Sequence, residues 1–393
     1  MHILFVLDYF PPYIWGIETL FDDVIDFCVQ KGYRVTVLTS HHDTKLPKIE
    51  KRKGVTIYRV GTNRITILWQ ALLWWLQHKT IMRSIDHIHT STFTASIPAW
   101  ILSKIYKKSC TITIHEIYDR LRYHIKGKKA LLYIWFERLL LKIKRDHIVT
   151  VSHSTKTMIQ DIHHVSDTSL SVIYNQIDSN FWNISQVERD DITQLKKEHH
   201  LTESRIGLFV GRLGYEKWLP YLIEAMNDII KEHPDFILII IAPKTSHLYL
   251  SDTQDHIKLT RDHIINNNLH HHILWIDPVQ DDKTLRLWMA SADIGIVPSM
   301  SEWFCYTAVQ MQAMWLSLIV SKVGALPEVL DSKKHSFIPY GKTVLLSDAI
   351  TKRINEWTNG KNNNNHNHNI SINYESYCEL FEKICKKNIL SQR

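Results

Sequence analysis

The chain has 393 residues, too many for one ordinary hydrophobic core, so two domains are expected. Apolar residues make up 45% and charged residues 22%, values that exclude a disordered or fibrous chain, and no run of eighteen apolar residues is present to cross a membrane. The net charge of +7 is unevenly placed, about +9 within residues 1–180 and slightly negative beyond.

In chain order, residues 2–7 (HILFVL) read as a buried strand, 8–15 as a proline-containing loop and 16–29 as a helix. Strands follow at 34–38 and 55–59, then a helix at 65–82 and a strand end at 87–89. A helix at 95–106, a strand at 110–114, a helix at 130–143, a strand at 147–151, a helix at 156–162 and a strand at 171–174 complete the first half. This alternation predicts a parallel sheet with helices on both faces. Residues 67–76 (ILWQALLWWL) are unusually apolar; a core helix is the preferred reading, an interfacial or acceptor-facing helix the alternative.

Residues 180–199 read as a joint, and a second alternation starts at Arg205. It has strands at 206–210, 236–242, 272–276, 294–297 and 318–320, with a helix at 219–230. Residues 359–369 (NGKNNNNHNHN) are low-complexity and polar, and 374–389 read as an amphipathic closing helix. The domain expectation is therefore 1–180, 181–370, and a terminal segment 371–393. Cys28, Cys110, Cys305, Cys378 and Cys385 are odd in number and form no CxxC, so neither a disulfide frame nor a zinc knuckle is expected. His270, His271 and His272 read as a solvated turn rather than a metal site. The start of the chain runs straight into a strand, which argues against a signal peptide and for the cytoplasm.

Two loops carry the chemistry. In the first, Glu302 follows the strand 294–297 and a turn, and precedes a helix that starts near Tyr306. An open parallel sheet binds its ligand where strands end and helices begin. The amides of Phe304, Cys305, Tyr306 and Thr307 would point out of that helix start, a site suited to phosphate. In the second loop, GRLGYEK at 211–217, Arg212 and Lys217 lie five apart across a turn, so both can face one diphosphate.

These stretches resemble the glycosyltransferase family 4 signatures. Residues 210–226 (VGRLGYEKWLPYLIEAM) resemble the segment whose Arg and Lys hold a nucleotide diphosphate, here Arg212 and Lys217. Glu302 matches the family's first acid, and Ser321, Val323, Gly324, Pro327 and Glu328 match its tail. The second acid, eight positions on, is replaced by Gln310; a neutral amide can still bind ribose hydroxyls there, but more weakly. The loop at 10–19 with Gly16 resembles the family's N-terminal glycine loop, and His115, at a strand end, resembles its histidine near the transferred sugar. Residues 174–178 (YNQID) resemble the motif that closes its first domain.

The resemblance implies a GT-B fold: two doubly wound, Rossmann-like α/β domains facing across a cleft, with the closing helix returning to the first. It implies a retaining, metal-independent hexosyltransferase without a cofactor. The donor would be a nucleotide sugar and the acceptor a glycan or a lipid-linked glycan of cell-surface polysaccharide or glycolipid synthesis. Glu302 and His115 are then the catalytic candidates, and Arg212, Lys217, Gln310, residues 304–307 and Gly16 the donor-binding ones. The basic stretch from Lys104 to Arg145 suits anionic lipid headgroups, so a peripheral place on a membrane is a further expectation. No nucleic-acid reading module is visible, and none is expected as partner. The alternatives are a non-catalytic sugar-nucleotide or glycan-binding relative and, less favoured, an epimerase of the same fold.

Trp15, Trp218, Trp275, Trp303 and Trp315 stand where this family prefers or commonly has glycine, and only 12 glycines occur in the chain. Trp218 and Trp303 are expected to crowd the phosphate site. UGA is read as tryptophan under one reassigned genetic code and as glycine under another, and the pattern fits glycine codons translated under the wrong one. Cys305, Gln310 and Ser317 need another cause. With genuine indoles at these places, the chain reads as the non-catalytic relative.

Overall fold

A computed structural model describes residues 1–13, 16–52, 54–119, 121, 127–244, 251–279, 281–358 and 374–392. These fall into two units, each built on one sheet. The first unit holds β1 (His2–Val6), β2 (Arg34–Thr39), β3 (Ile49–Arg52), β4 (Val55–Arg59), β5 (His87–Ser91), β6 (Ser109–Ile114), β7 (His147–Thr150) and β8 (Leu170–Val172). Their order is β3-β4-β2-β1-β5-β6-β7-β8, parallel throughout except for β3 against β4. The second unit holds β9 (Arg205–Val210), β10 (Phe236–Ile241), β11 (Ile273–Ile276), β12 (Ile294–Val297), β13 (Ser317–Ser321) and β14 (Ser336–Ile338). Its order, β11-β10-β9-β12-β13-β14, is parallel and reverses direction between β9 and β12.

Central strands are apolar runs because helices cover both of their faces. β1 (HILFV) is buried at every position, and β10 (FILIII) at all but one. The first sheet also buries histidines. His87 bonds the Ser109 and Thr111 hydroxyls, and His89 those of Thr111 and Thr113. Burial holds His87 neutral, its pKa pushed down to about 3. The helix Glu375–Gln392 lies on this face: Phe381 packs against Phe5, His87 and His89, and Tyr377 reaches the Thr113 hydroxyl.

Several elements differ from the sequence expectation. The helix expected at 65–82 is two, Ile67–Gln77 and Lys79–Ser84, because the backbone of His78 leaves the helical region (φ −121°, ψ 35°). β3 (IEKR) was not expected; it is a polar edge strand without a buried side chain. The segment 180–199, read as a joint, contains the helix Arg189–Glu198, whose charged sequence hides its pattern. The low-complexity stretch 359–369 lies outside the described residues.

Candidate functional site

The second sheet splits where its order reverses. β12 pairs with β9 only at Ile294–Gly207 and Gly295–Leu208, whereas it follows β13 along its whole length. Beyond Leu208 and Gly295 the two strands no longer pair, and it is at the carboxyl ends of strands at such a reversal that open α/β sheets take ligands. The loop after β9 carries Arg212 and Lys217, and the loop after β12 carries Glu302.

The two loops are sewn together. The Met300 and Ser301 amides donate to the Glu216 carbonyl at 2.7 and 3.3 Å. The Lys217 ammonium donates directly to the Glu302 carboxylate, which also accepts the Ser299 hydroxyl at 2.7 Å. The Lys217 side chain is 17% exposed and that of Glu302 5%. Burial works against a charge on Lys217, but the adjacent Glu302 carboxylate outweighs it and raises the ammonium's pKa above its ordinary value. The result is a fixed, nearly dry cation at the mouth of the sheet. Gly324 completes the seat. Its φ is +51°, and a Cβ there would lie 1.8 Å from the Glu302 carbonyl oxygen, which takes the Ala325 amide at 3.0 Å.

Phe304 and Cys305 are buried, and Cys305 caps the helix Tyr306–Ala313 with left-handed backbone (φ 73°), its Sγ 3.6 Å from the Thr307 hydroxyl in the first turn. Burial, with Glu302 close by, pushes the Cys305 thiol up to about 12, so it stays protonated. Tyr306, Thr307 and Gln310 are half-buried on this helix, and Arg212 is exposed on its loop. The structure thus joins Lys217 to Glu302 and seats 304–307 beside them. The sequence reading missed Ser299, whose only signal was its place in the turn before Glu302, and the backbone clamp at Glu216.

Trp218, expected to crowd the phosphate site, directly follows Lys217. Its indole packs edge-on against Tyr215 at 4.9 Å and His256 at 5.6 Å, while Lys217 and Glu302 touch directly. Trp218 has φ 35° and Trp315 φ 65°. Trp315 sits at a helix end where its amide donates to Gln312 and the Leu316 amide to Met311, the cap in which glycine is usual. Lys107, His200 and Asn268 take the same kind of cap, so left-handed backbone alone does not single out Trp315. Trp275 lies in β11 with its indole N–H on the Ala242 carbonyl, and nothing in that strand requires glycine. Trp303 is half-buried, and Trp15 lies outside the described residues.

His115 and Gly16 belong to the first unit. His115 directly follows β6, buried edge-on against Phe21 at 5.5 Å, and burial pushes its pKa down to about 3. Its Nε2 has no hydrogen-bond partner among the described residues. Gly16 opens the helix Gly16–Gln30. At the carboxyl ends of β1 and β5, the Asp8 carboxylate accepts the Phe93, Thr94 and Ala95 amides and the Thr94 hydroxyl, fixing the loop after β5. Glu18 is 5% exposed, and its Oε2 has no partner among the described residues. Burial raises its carboxyl from 4.5 to about 7; its own amide and Arg64 oppose the rise, Asp8 and Glu116 add to it.

Comparison with known proteins gives two consecutive family matches. Glycosyltransferase Family 4 matches residues 14–181, and Glycosyl transferases group 1 matches residues 190–375. An uncharacterized glycosyltransferase of Methanocaldococcus jannaschii is 25% identical over 343 residues, 85% of this chain and 84% of that protein. Among solved structures, sucrose-phosphate synthase from Thermosynechococcus elongatus superposes with a TM-score of 0.77 at 17% identity, covering 98% of this chain and 96% of that one. Anabaena HepE in complex with UDP-glucose gives 0.74 at 16%, covering 100% and 99%.

Two outcomes are expected. Between pH 4.5 and 7 the folded chain keeps a proton on Glu18 that the unfolded chain releases, so this residue costs stability as pH rises through that window. Thermal unfolding of Glu18→Gln should therefore show a gain over the parent that grows from pH 5 to pH 8; a pH-independent difference contradicts the buried, protonated carboxyl. Peptide masses of the protein from its own host are expected to read glycine at residues 218, 303 and 315. Tryptophan mass, or UGG codons there, contradicts the recoding.

Proposed function

Since the chain belongs to the group 1 glycosyltransferases, proteins of the GT-B fold, we propose that it moves a hexose from a nucleotide-sugar donor to a glycan or lipid-linked acceptor, with retention of configuration. The observation that carries the reading is the contact of Lys217 with Glu302 between the loops that follow β9 and β12. A sugar leaving a nucleotide diphosphate places growing negative charge on the diphosphate, and a preorganised cation in a water-poor site lowers that barrier most. Lys217 supplies the cation, the start of the helix Tyr306–Ala313 supplies amides, and Arg212 on the same loop adds a second charge. In this reading these groups do the work that a divalent ion does elsewhere.

Glu302 orients Lys217 and, through its second oxygen, takes donor sugar hydroxyls. Gln310, one turn further along the helix, meets the ribose. His115, held neutral, offers its free nitrogen to the transferred sugar, and Gly16 lets the chain approach it. HepE, which superposes over the whole chain, is a structure bound to UDP-glucose, which supports a nucleotide-sugar donor here. A peripheral place on an anionic membrane surface on the cytoplasmic side, beside a lipid-linked acceptor, completes the proposal. The replacement of an acid by Gln310 favours a second reading, a relative that binds the donor without turning it over.

Release of nucleoside diphosphate from a panel of UDP-, GDP- and ADP-sugars, with and without glycan and lipid-linked acceptors, separates the two. The transferase is expected to turn over at least one donor, and Lys217→Ala and Glu302→Gln each to lower kcat by about 10²–10³-fold. Donor binding without turnover establishes the second reading, and turnover untouched by both variants removes the site.

A further inference from the structure

Ten of the sixteen large apolar side chains that lie exposed among the described residues fall between Ile65 and Leu139. Eight of them line two helices. Ile67–Gln77 buries Ile67, Ala71 and Trp74 and turns Trp69, Leu73 and Leu76 outward, each about half exposed. Ala130–Lys142 buries Ala130, Ile134, Leu140 and Leu141 and turns out Leu131 (62%), Leu132 (67%), Trp135 (61%) and Leu139 (45%). Each helix is thus apolar on both sides, and burial in the core explains only one.

Both helices cover the same face of the first sheet. Residues side by side on parallel strands point the same way, and so do alternate residues along one strand. Leu4 lies beside Ile88 and Ile88 beside Cys110, while Ile112, two on from Cys110, lies beside Ile148 and Ile148 beside Leu170. Leu4 and Ile88 belong to the core cluster under the first helix. Ile112, Ile148 and Leu170 belong to the cluster that includes Leu141 of the second. Between them lies the helix Ser96–Tyr106, which exposes Ile105 and Lys104. Exposed apolar residues therefore recur across one continuous layer of helices, a pattern that marks an interaction surface.

Charge chooses the occupant. Residues 64–145 contain fifteen Lys and Arg against four Asp and Glu. Lys79, Lys104, Lys107, Lys129, Lys142 and Lys144 are exposed, whereas Glu137 is buried and holds the Tyr118 and Asp119 amides. A second copy of this face would bring like charge against like. A bilayer of anionic lipid takes both features, the indoles and leucines entering the headgroup boundary while the ammonium groups meet lipid phosphates. Among the described residues no helix is long and apolar enough to cross a membrane, so the contact is one of surface.

We propose that the helices Ile67–Gln77, Ser96–Tyr106 and Ala130–Lys142 form a membrane-docking face for anionic lipid. The assignment rests on the membrane reading above. Its test uses neither donor nor turnover, so failure of docking and failure of transfer are read separately. The full chain is sedimented with vesicles of phosphatidylcholine alone or with about one third phosphatidylglycerol. It is expected to pellet with the anionic vesicles and to be released by salt. Leu132→Glu/Trp135→Glu and, separately, Lys129→Glu/Lys142→Glu should each weaken partitioning at least about tenfold. Ile265→Glu, an exposed apolar residue of the second unit, should leave it unchanged. All these side chains are exposed, and unchanged circular-dichroism melting checks that the variants fold. Absence of pelleting, equal binding to neutral vesicles, or binding unaffected by both double variants overturns the proposal. So does a dimer in sedimentation velocity that Leu132→Glu/Trp135→Glu splits while vesicle binding persists.

Discussion

Two strands that part company set a cation at the end of the second sheet, where the proposed function lays a diphosphate. β9 and β12 pair at two positions only, and there Gly207 and Gly295 leave room for the side chains of Phe236 and of Leu318 and Met311. Beyond that point their loops must find partners elsewhere, and they find each other, through the Glu216 carbonyl and the contact of Lys217 with Glu302. Taking both charges out of water costs several kcal/mol per ion, a loss that the pair recovers only with good geometry and extra hydrogen bonds. The Ser299 hydroxyl and the glycine at 324 supply that geometry. A pair so placed adds little to stability and makes most sense as a preorganised electrostatic device.

The first unit solves a related problem with neutral groups. Asp8 spends its carboxylate on the loop after β5, while Glu18 and His115 are buried with an atom left unbonded among the described residues. Burial drives both towards their uncharged forms, raising the acid and lowering the base. The carboxyl ends of the two sheets therefore differ in character: one carries an ion pair of Lys217 and Glu302, the other, beside the Asp8 carboxylate, two groups held uncharged.

The sheets were legible because central parallel strands are apolar on both sides; HILFV and FILIII can hardly be anything else. Edge elements were not. β3 is polar, and the break at His78 depends on one residue's backbone angles rather than on composition. Lys217 and Glu302 could be placed at strand ends from the sequence, yet their direct contact arises from crossing loops 85 residues apart. Glu18 reads in sequence as an ordinary acid in a helix's first turn, and only packing shows it dry. The segment 130–142 is so apolar that pattern alone could not tell its inner face from its outer one. Trp218 and Trp315, read as standing in glycine places, do have positive φ, which only the folded backbone shows.

The central claim is that Lys217 receives a nucleoside diphosphate. Calorimetric titration of UDP, GDP and ADP into the full chain tests it most directly, with Lys217→Met/Glu302→Gln as comparison so that no buried carboxylate is stranded. At least one diphosphate should bind the parent and bind the folded double variant at least about tenfold more weakly. Equal affinity for both chains, or no binding of any of the three to the parent, contradicts the account.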